Sequence, residues 1–350
     1  MKKALCFAVS ALWILVAASE ATATSSAAVL PLLISPGARA SGMGESFVAI
    51  ADDATATFWN AGGLAFQTGR EITFMHAKWL PQLVSDMAIE FLAYRQHFES
   101  LGGTLAGNIT FFDYGTQEGR DEYNNDTGTF RSWDLAASLC FGTKLSSNVG
   151  LGVVMRYIRS NLSEQNIGTA KGSGVGSSFA VDLGLLYRIA FVKGLSFGMN
   201  LSNMGPKIAY VDAAQADPLP TNLKVGFSYV VLDNEFNKLL ISIDTNKLMV
   251  VRHDDGTSDS FYKALISAWS DGSIREQANR LRSSCGLEYC YNSMIYLRTG
   301  YYYDYDGLVK YPSFGAGLQY SKYRFDFAYV AAQQGHPLSD TMRFSLTAGF

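Results

Sequence analysis

The chain has 350 residues, of which 48% are hydrophobic, 13% aromatic and only 17% charged, with a net charge of −3. That balance excludes a nucleic-acid binder, which needs a basic face. The charged fraction also falls short of the roughly one quarter usual in a water-soluble domain. Abundant Gly and aromatic residues without a long apolar run beyond the leader point to a transmembrane β-barrel, which crosses with strands.

The first residues, MKKALCFAVSALWILVAA, set Lys2 and Lys3 before an apolar run from Ala4 to Ala18, and Ala21-Thr22-Ala23 supplies an A-x-A-like site. This is the layout of a secretory signal peptide, predicted over 1–23. The competing reading, an N-terminal anchor, needs about 20 apolar residues and has fewer. Cys6 lies inside the run, too early for lipid attachment after cleavage.

Residues 24–66 form a Gly/Ala-rich segment that includes SPGARASGMGESFVAIADDATATFWNAGGLAF, Ser35–Phe66. Small residues such as Gly42 and Gly44 allow a backbone to lie close against a wall. The stretch around Trp59 and Asn60 fits a short helix with Asp52 or Asp53 near its start. The segment is predicted as a plug (a hatch) inside a lumen, with Trp59 against the wall. The alternative is a periplasmic tail packed outside the rim.

From residue 67 onward the chain alternates with period two, one face apolar. "KYRFDFAYV" sets Tyr323, Phe325, Phe327 and Tyr329 against Arg324 and Asp326, and "KLLISIDTN" sets Leu239, Ile241 and Ile243 against Ser242 and Asp244. Fourteen such segments lie near 70–77, 84–96, 101–113, 129–142, 148–160, 175–189, 194–204, 221–232, 237–247, 282–291, 294–303, 311–320, 322–331 and 340–350. Connections after strands 3, 5, 7 and 9 are long and polar; those after 2, 4, 6, 8, 10 and 12 are tight. Sorting by parity is the behaviour of a barrel with one rim in the periplasm and one outside. A barrel of this size has a lumen its own side chains cannot fill. The fold class is therefore all-β: a 14-stranded antiparallel transmembrane barrel over 67–350 with an N-terminal plug and both ends periplasmic.

Parity points Glu90, Arg156, Asp182, Arg188, Asp244, Glu288, Arg298, Arg324, Asp326 and Arg343 into the lumen, where they are expected to tie plug to wall. The chain ends TMRFSLTAGF, with Phe344, Leu346 and Phe350 on one face as a membrane-insertion signal. The long rim loops Gly205–Pro220 and Val251–Arg282 carry Ile208, Tyr210, Leu219, Phe261, Tyr262 and Trp269, which a solvated loop does not need. They are predicted as partner contacts; the competing reading folds them back over the barrel mouth. A helix is possible across SIREQANRLRS.

Chemical motifs carry little. GLSFG, Gly194 to Gly198, has the G-x-S-x-G spacing, but it opens a strand and lacks the strand-to-helix elbow, so Ser196 is an ordinary lumen-facing residue. GSGVGS near Gly172 has no helix after it. DYDG, Asp304–Gly307, lacks the other ligands of a calcium loop. His76, His97, His253 and His336 are scattered, and Cys140, Cys285 and Cys290 have no framework spacing. No catalytic residue, metal or cofactor is expected.

ARASGMGESFVAIADDATATFWNAGGLA resembles the N-terminal signature of the FadL (OMPP1) superfamily of outer-membrane proteins, whose members fold it as a hatch inside a fourteen-stranded barrel. LSNMGPKIAY, PLPTNLKVGFSY, DTNKLMV and GLEYCYNSMIYLRTGYYY resemble the PorV/PorQ family, as does the C-terminal FAYVAAQQGHPLSDTMRFSLTAGF. The resemblance implies an outer-membrane component of type IX protein secretion. Its partners would be translocon and attachment-complex proteins, outer-membrane lipid, and secreted cargo proteins bound through a C-terminal signal domain. Two features depart from the family: Ala61 follows Trp59-Asn60 where Pro is usual, and VRHDDGTSDS replaces a proline-rich run. The rival classes are a FadL-like transporter of hydrophobic small molecules and an enzyme acting on surface lipid.

Overall fold

The computed structural model describes residues 27–121, 123–163, 174–253, 255–334 and 336–350. The predicted leader and most of EQNIGTAKGSG lie outside the described residues. Strands β1 (Arg70–Lys78), β2 (Ala88–Phe98), β3 (Gly103–Arg120), β4 (Asp126–Lys144), β5 (Val149–Asn161), β6 (Val175–Arg188) and β7 (Leu195–Met204) form the first half. Strands β8 (Asn222–Asp233), β9 (Asn237–Leu248), β10 (Arg282–Tyr291), β11 (Ile295–Asp304), β12 (Val309–Tyr320), β13 (Tyr323–Val330) and β14 (Thr341–Gly349) form the second. Each strand bonds antiparallel to its sequence neighbours, and β14 closes on β1 to make a barrel. The seam ends where Phe350 N–H donates to the Arg70 carbonyl at 2.8 Å, on the side of the short turns.

The period-two pattern becomes a wall with two different faces. On β6, Phe179, Val181 and Leu183 are exposed outward while Ser178, Ala180 and Asp182 are buried inward. Cys285 and Cys290, five apart, fall on opposite faces, one exposed and one buried. Ser196 sits on the lumen side of β7, opposite Ser228 of β8. One parity assignment is corrected. Glu90 faces outward, where its carboxylate meets His76 Nδ1 at 2.6 Å. The inner positions of β1 and β2 are apolar too: Met75, Ala77, Ile89, Phe91 and Ala93 pack in one buried cluster with Ala54 and Phe112. Alternation cannot tell inside from outside where both faces are apolar.

The predicted polar connection after β3 is mostly strand. β3 continues to Arg120 and β4 starts at Asp126, through a register shift between Asp113 and Thr116. The result is a tall hairpin standing above the neighbouring β2, which pairs with β3 only as far as Asp113.

Residues Ala27–Gln67 run through the lumen before β1. They form 3-10 turns at Leu30–Leu33 and Ala61–Phe66 and two short helices, α1 (Ala38–Gly42) and α2 (Ala56–Trp59). Ala28 N–H donates to the Pro218 carbonyl in the long β7–β8 connection, so this end lies at the outer rim. The other end, at Gln67, lies by Thr104 just above the short β2–β3 turn.

Candidate functional site: the hatch and the outer rim

The hatch is held by backbone contacts, by carboxylates that accept its N–H groups and by a buried ion network. Phe47 and Val48 N–H both donate to one oxygen of Asp244, at 2.7 and 2.9 Å. Asn60 Nδ2 donates to the Val48 carbonyl and to the Leu185 carbonyl of the wall, each at 2.8 Å. Its Oδ1 accepts Gly62 N–H at 3.0 Å and so caps the 3-10 turn that follows.

Gly42 and Gly44 touch the wall closely. A Cβ on Gly42 would lie 2.9 Å from Gly315 Cα, and one on Gly44 2.8 Å from the Cys285 carbonyl. Gly44 also has φ +65°, which an L side chain resists. Trp59 is fully buried. Its ring packs on Phe47 and Phe58 of the hatch, its Nε1 donates to the Pro36 carbonyl at 3.2 Å, and Lys224 of the wall caps its face at 4.1 Å.

The ion network ties the lower hatch to the wall. Arg39 makes a bidentate pair with Glu288, both bonds 2.8 Å, and reaches Asp52 at 2.6 Å. Arg298 Nε donates to the same Glu288 at 2.6 Å, and its guanidinium forms an ion pair with Asp326 at 2.8 Å. Arg324 links Asp326 at 2.9 Å to Asp53 of the hatch at 3.1 Å. Such forks are geometrically specific, and removing one partner strands a buried charge. Sequence parity found the wall members but not Arg39, which stands in an irregular segment with no period to read.

At the outer rim the loop after β9 carries helices α3 (Phe261–Ser267) and α4 (Ile274–Asn279). Leu265 and Ala268 turn inward onto Met249 and Val251. Tyr262, Ile266 and Trp269, spaced four and three residues apart, are 68%, 78% and 51% exposed, and Ile274 at the start of α4 is 91% exposed. Phe261 is partly covered by Tyr262, with the ring centroids 5.6 Å apart. The predicted contact set therefore splits. Ile208 and Leu219 are buried against Val29, Leu32, Ile158 and Ala180, with Tyr210 packed beside them, so no partner can touch Ile208 or Leu219. Ile266 and Ile274 escaped sequence reading because α3 and α4 are each no more than two turns long, too short for a periodic face to show.

Phe344, Leu346 and Phe350 project outward from the closing strand and are exposed. Among the described residues no group of three or more His, Cys, Asp or Glu side chains is placed to hold a metal. Asp304 is occupied as a turn residue, bonded to Gly307 N–H at 2.9 Å and to Arg282 at 3.0 Å.

A closed fourteen-stranded barrel with apolar outward strands and a chain-filled lumen has the architecture of an outer-membrane β-barrel protein. Two solved structures share the fold over 90% of this chain. They are the Ralstonia pickettii toluene transporter TbuX (15% identity, 98% of its chain covered, TM-score 0.52) and the P. putida toluene transporter TodX (13%, 98%, 0.55). No curated protein matches the chain in sequence. The model of the family described as "Type IX secretion system protein PorV" matches residues 17–255, and the chain belongs to that family.

Proposed function

We propose that this protein is a non-enzymatic carrier in type IX protein secretion. It binds exported proteins through their C-terminal signal domain at the translocon and passes them to the surface attachment machinery. The observation that carries this reading is the set of exposed apolar side chains on the loop after β9. Tyr262, Ile266 and Trp269, large side chains exposed at helical spacing on a water-facing loop, mark a protein contact, and Ile274 adds a fourth exposed apolar group to the same loop. Phe344, Leu346 and Phe350 are proposed as the signal for membrane insertion, and the hatch as the seal of the lumen.

The toluene-transporter relatives in fold favour a second reading, passage of a small apolar molecule. Against it, the cavity lined by Trp59, Lys224, Asn222, Arg282 and Tyr302 is 40 Å³ and polar, and the larger one at the outer mouth, 340 Å³, is lined by Lys247, Arg252, Asp271, Arg280 and Asp304. Small-molecule sites usually offer about 300–1,000 Å³ and an apolar lining. Ser196 supports no enzyme, since it lies in a flat strand beside Ser228.

The test replaces Tyr262, Ile266 and Trp269 together with Ser. Exported proteins are expected to accumulate in the periplasm while the barrel inserts at its usual level. Ser196→Ala is expected to leave export unchanged. Normal export by the triple variant would remove the reading's main support.

A further inference from the structure

Above Val181 the barrel wall loses a neighbour. On one side β6 pairs with β5 from Val175 to Tyr187. On the other its pairing with β7 stops at Val181↔Met204. Ile189 N–H donates to the Leu195 carbonyl across to β7, while Arg188 N–H donates to the Asn148 carbonyl on the β5 side. Antiparallel bonding alternates, so odd-numbered residues of β6 bond toward β7 and even-numbered ones toward β5. The N–H and C=O groups of Val175, Ser177 and Phe179 therefore point to the side β7 has left. Among the described residues no backbone hydrogen bond reaches them.

The departure of β7 is built in. Asn203 has φ +59° and forms a bulge opposite Asp182. Its N–H donates to Asp182 Oδ1 at 2.7 Å, and its Nδ2 donates to the Pro220 carbonyl at 3.1 Å. Arg156 clamps both partners, bonding Asp182 Oδ2 at 2.7 Å and the Asn203 side-chain oxygen. Gly205 then passes tight against the Phe179 carbonyl, where a Cβ could not fit, and the chain turns inward so that Ile208 packs on Gly176.

Other tall edges of this barrel are defended in the usual ways. β12 above its last pair with β13 carries Pro312. β4 above its last pair with β5 carries Asp126 and Arg131. β3 above β2 is capped by Asp86, whose carboxylate accepts Thr116 N–H at 2.9 Å. The β6 edge reads Val175-Gly-Ser-Ser-Phe-Ala180, with no charge and no proline. Its outward side chain Phe179 is exposed and pairs with Tyr157 at 5.2 Å. One level higher, Ser177 stands opposite the exposed Arg159, so the edge rises from an aromatic belt into water.

We propose that this edge takes an extended segment of the exported protein as an added strand. The inference rests on the carrier reading above and names how the cargo is gripped. Beyond Phe179, whose carbonyl Gly205 covers, the unbonded N–H and C=O groups of Val175 and Ser177 are satisfied by another extended backbone, and an uncharged edge leaves such pairing unopposed. The edge is also continuous with the proposed contact face. Lys207 Nζ donates to the Ser258 carbonyl at 2.7 Å and Arg252 pairs with Asp217, pinning the loop beside β6 to the loop that carries α3.

Ser177→Pro is the discriminating variant. It deletes an N–H on the open side, while the β5 ladder uses the even-numbered residues and is left whole. Cell-surface display of a tagged exported protein is expected to fall about fivefold or more, with Ser177→Thr at the wild-type level and heat-modifiable migration unchanged in both. A photo-reactive residue at Ser177 in an otherwise native chain gives a second readout that does not depend on proline being tolerated. It is expected to form an adduct with the exported protein, and the same residue at lumen-facing Ser178 is expected to form none. An adduct only with a second copy of this chain, or none at all, would overturn the strand-addition proposal. Normal display by Ser177→Pro would overturn it too. If the triple loop variant still blocks export in that case, the carrier reading stands; if it also exports normally, both fall.

Discussion

Six inward-facing glycines of the wall, Gly152, Gly184, Gly198, Gly286, Gly300 and Gly315, lie where the hatch backbone presses on it. A Cβ at Gly286 would sit 2.5 Å from the Met43 carbonyl, one at Gly184 2.5 Å from Asn60 Oδ1, and one at Gly315 3.1 Å from Gly42 Cα. Glycine in a strand interior marks a close approach of another backbone. These wall partners were visible in the sequence, since all six stand at lumen parity, but only the hatch glycines Gly42 and Gly44 were read that way. At Gly300 the new atom would meet Met43 and Gly44, and its φ is ordinary. Gly300→Val should therefore suit the strand and displace the hatch, at about 1–3 kcal/mol for overpacking. The check is a lowered Tm together with protease cleavage inside Ser41–Phe58 in a barrel that still inserts.

Among the elements, strands were far more legible than helices. Alternation over about ten residues gave every strand its place, because each had to keep one face toward lipid. In the loop after β9 the helix at Ile274–Asn279 announced itself through Ser273 and Glu276, which form a capping box. The helix at Phe261–Ser267 did not, because its N-cap Ser260 makes no side-chain bond and its support comes from the residue before it. Asp259, just before it, accepts Lys263 Nζ at 2.8 Å, Ser267 Oγ at 2.6 Å and a bond with His253 at 2.9 Å. Those hydrogen bonds, Lys263 first, hold the Asp259 carboxyl well below the ordinary carboxylate range. A depressed folded value means stability present above the unfolded value of about 3.9 and lost only as pH falls through the folded one. Amide exchange in α3 should stay slow from about pH 7 to pH 5 and rise only below about pH 4. Asp259→Asn should bring fast exchange at neutral pH; slow exchange in that variant would show the helix is held by something else.

For the whole molecule, the count of alternating strands was enough to set the class. The interior was less legible, because what fills a lumen is irregular chain with no period. Residues 37–66 could be assigned to it only from small-residue content and their place before the first strand, and Arg39, which shares Glu288 with Arg298, went unnoticed. Removing Ser41–Phe58 deletes the Phe47 and Val48 bonds to Asp244 and the Asp52 and Asp53 pairs. Single-channel recordings of that variant should show a conductance absent from the intact protein, because a barrel of this size is too wide for its own side chains to fill. Unchanged conductance would mean that the wall closes without the hatch.

The path of the segment before β1 also sets an order of assembly. Ala28 is bonded to Pro218 at the outer rim, yet the first strand begins by Phe350 at the inner one. The chain thus traverses the full height of the cylinder before any wall is laid down. Once β1 and β14 have joined, some forty residues would have to be fed through a bore already crowded with side chains. Wrapping the sheet around a segment already in position avoids that passage. On this route the hatch serves as a mandrel on which the sheet closes.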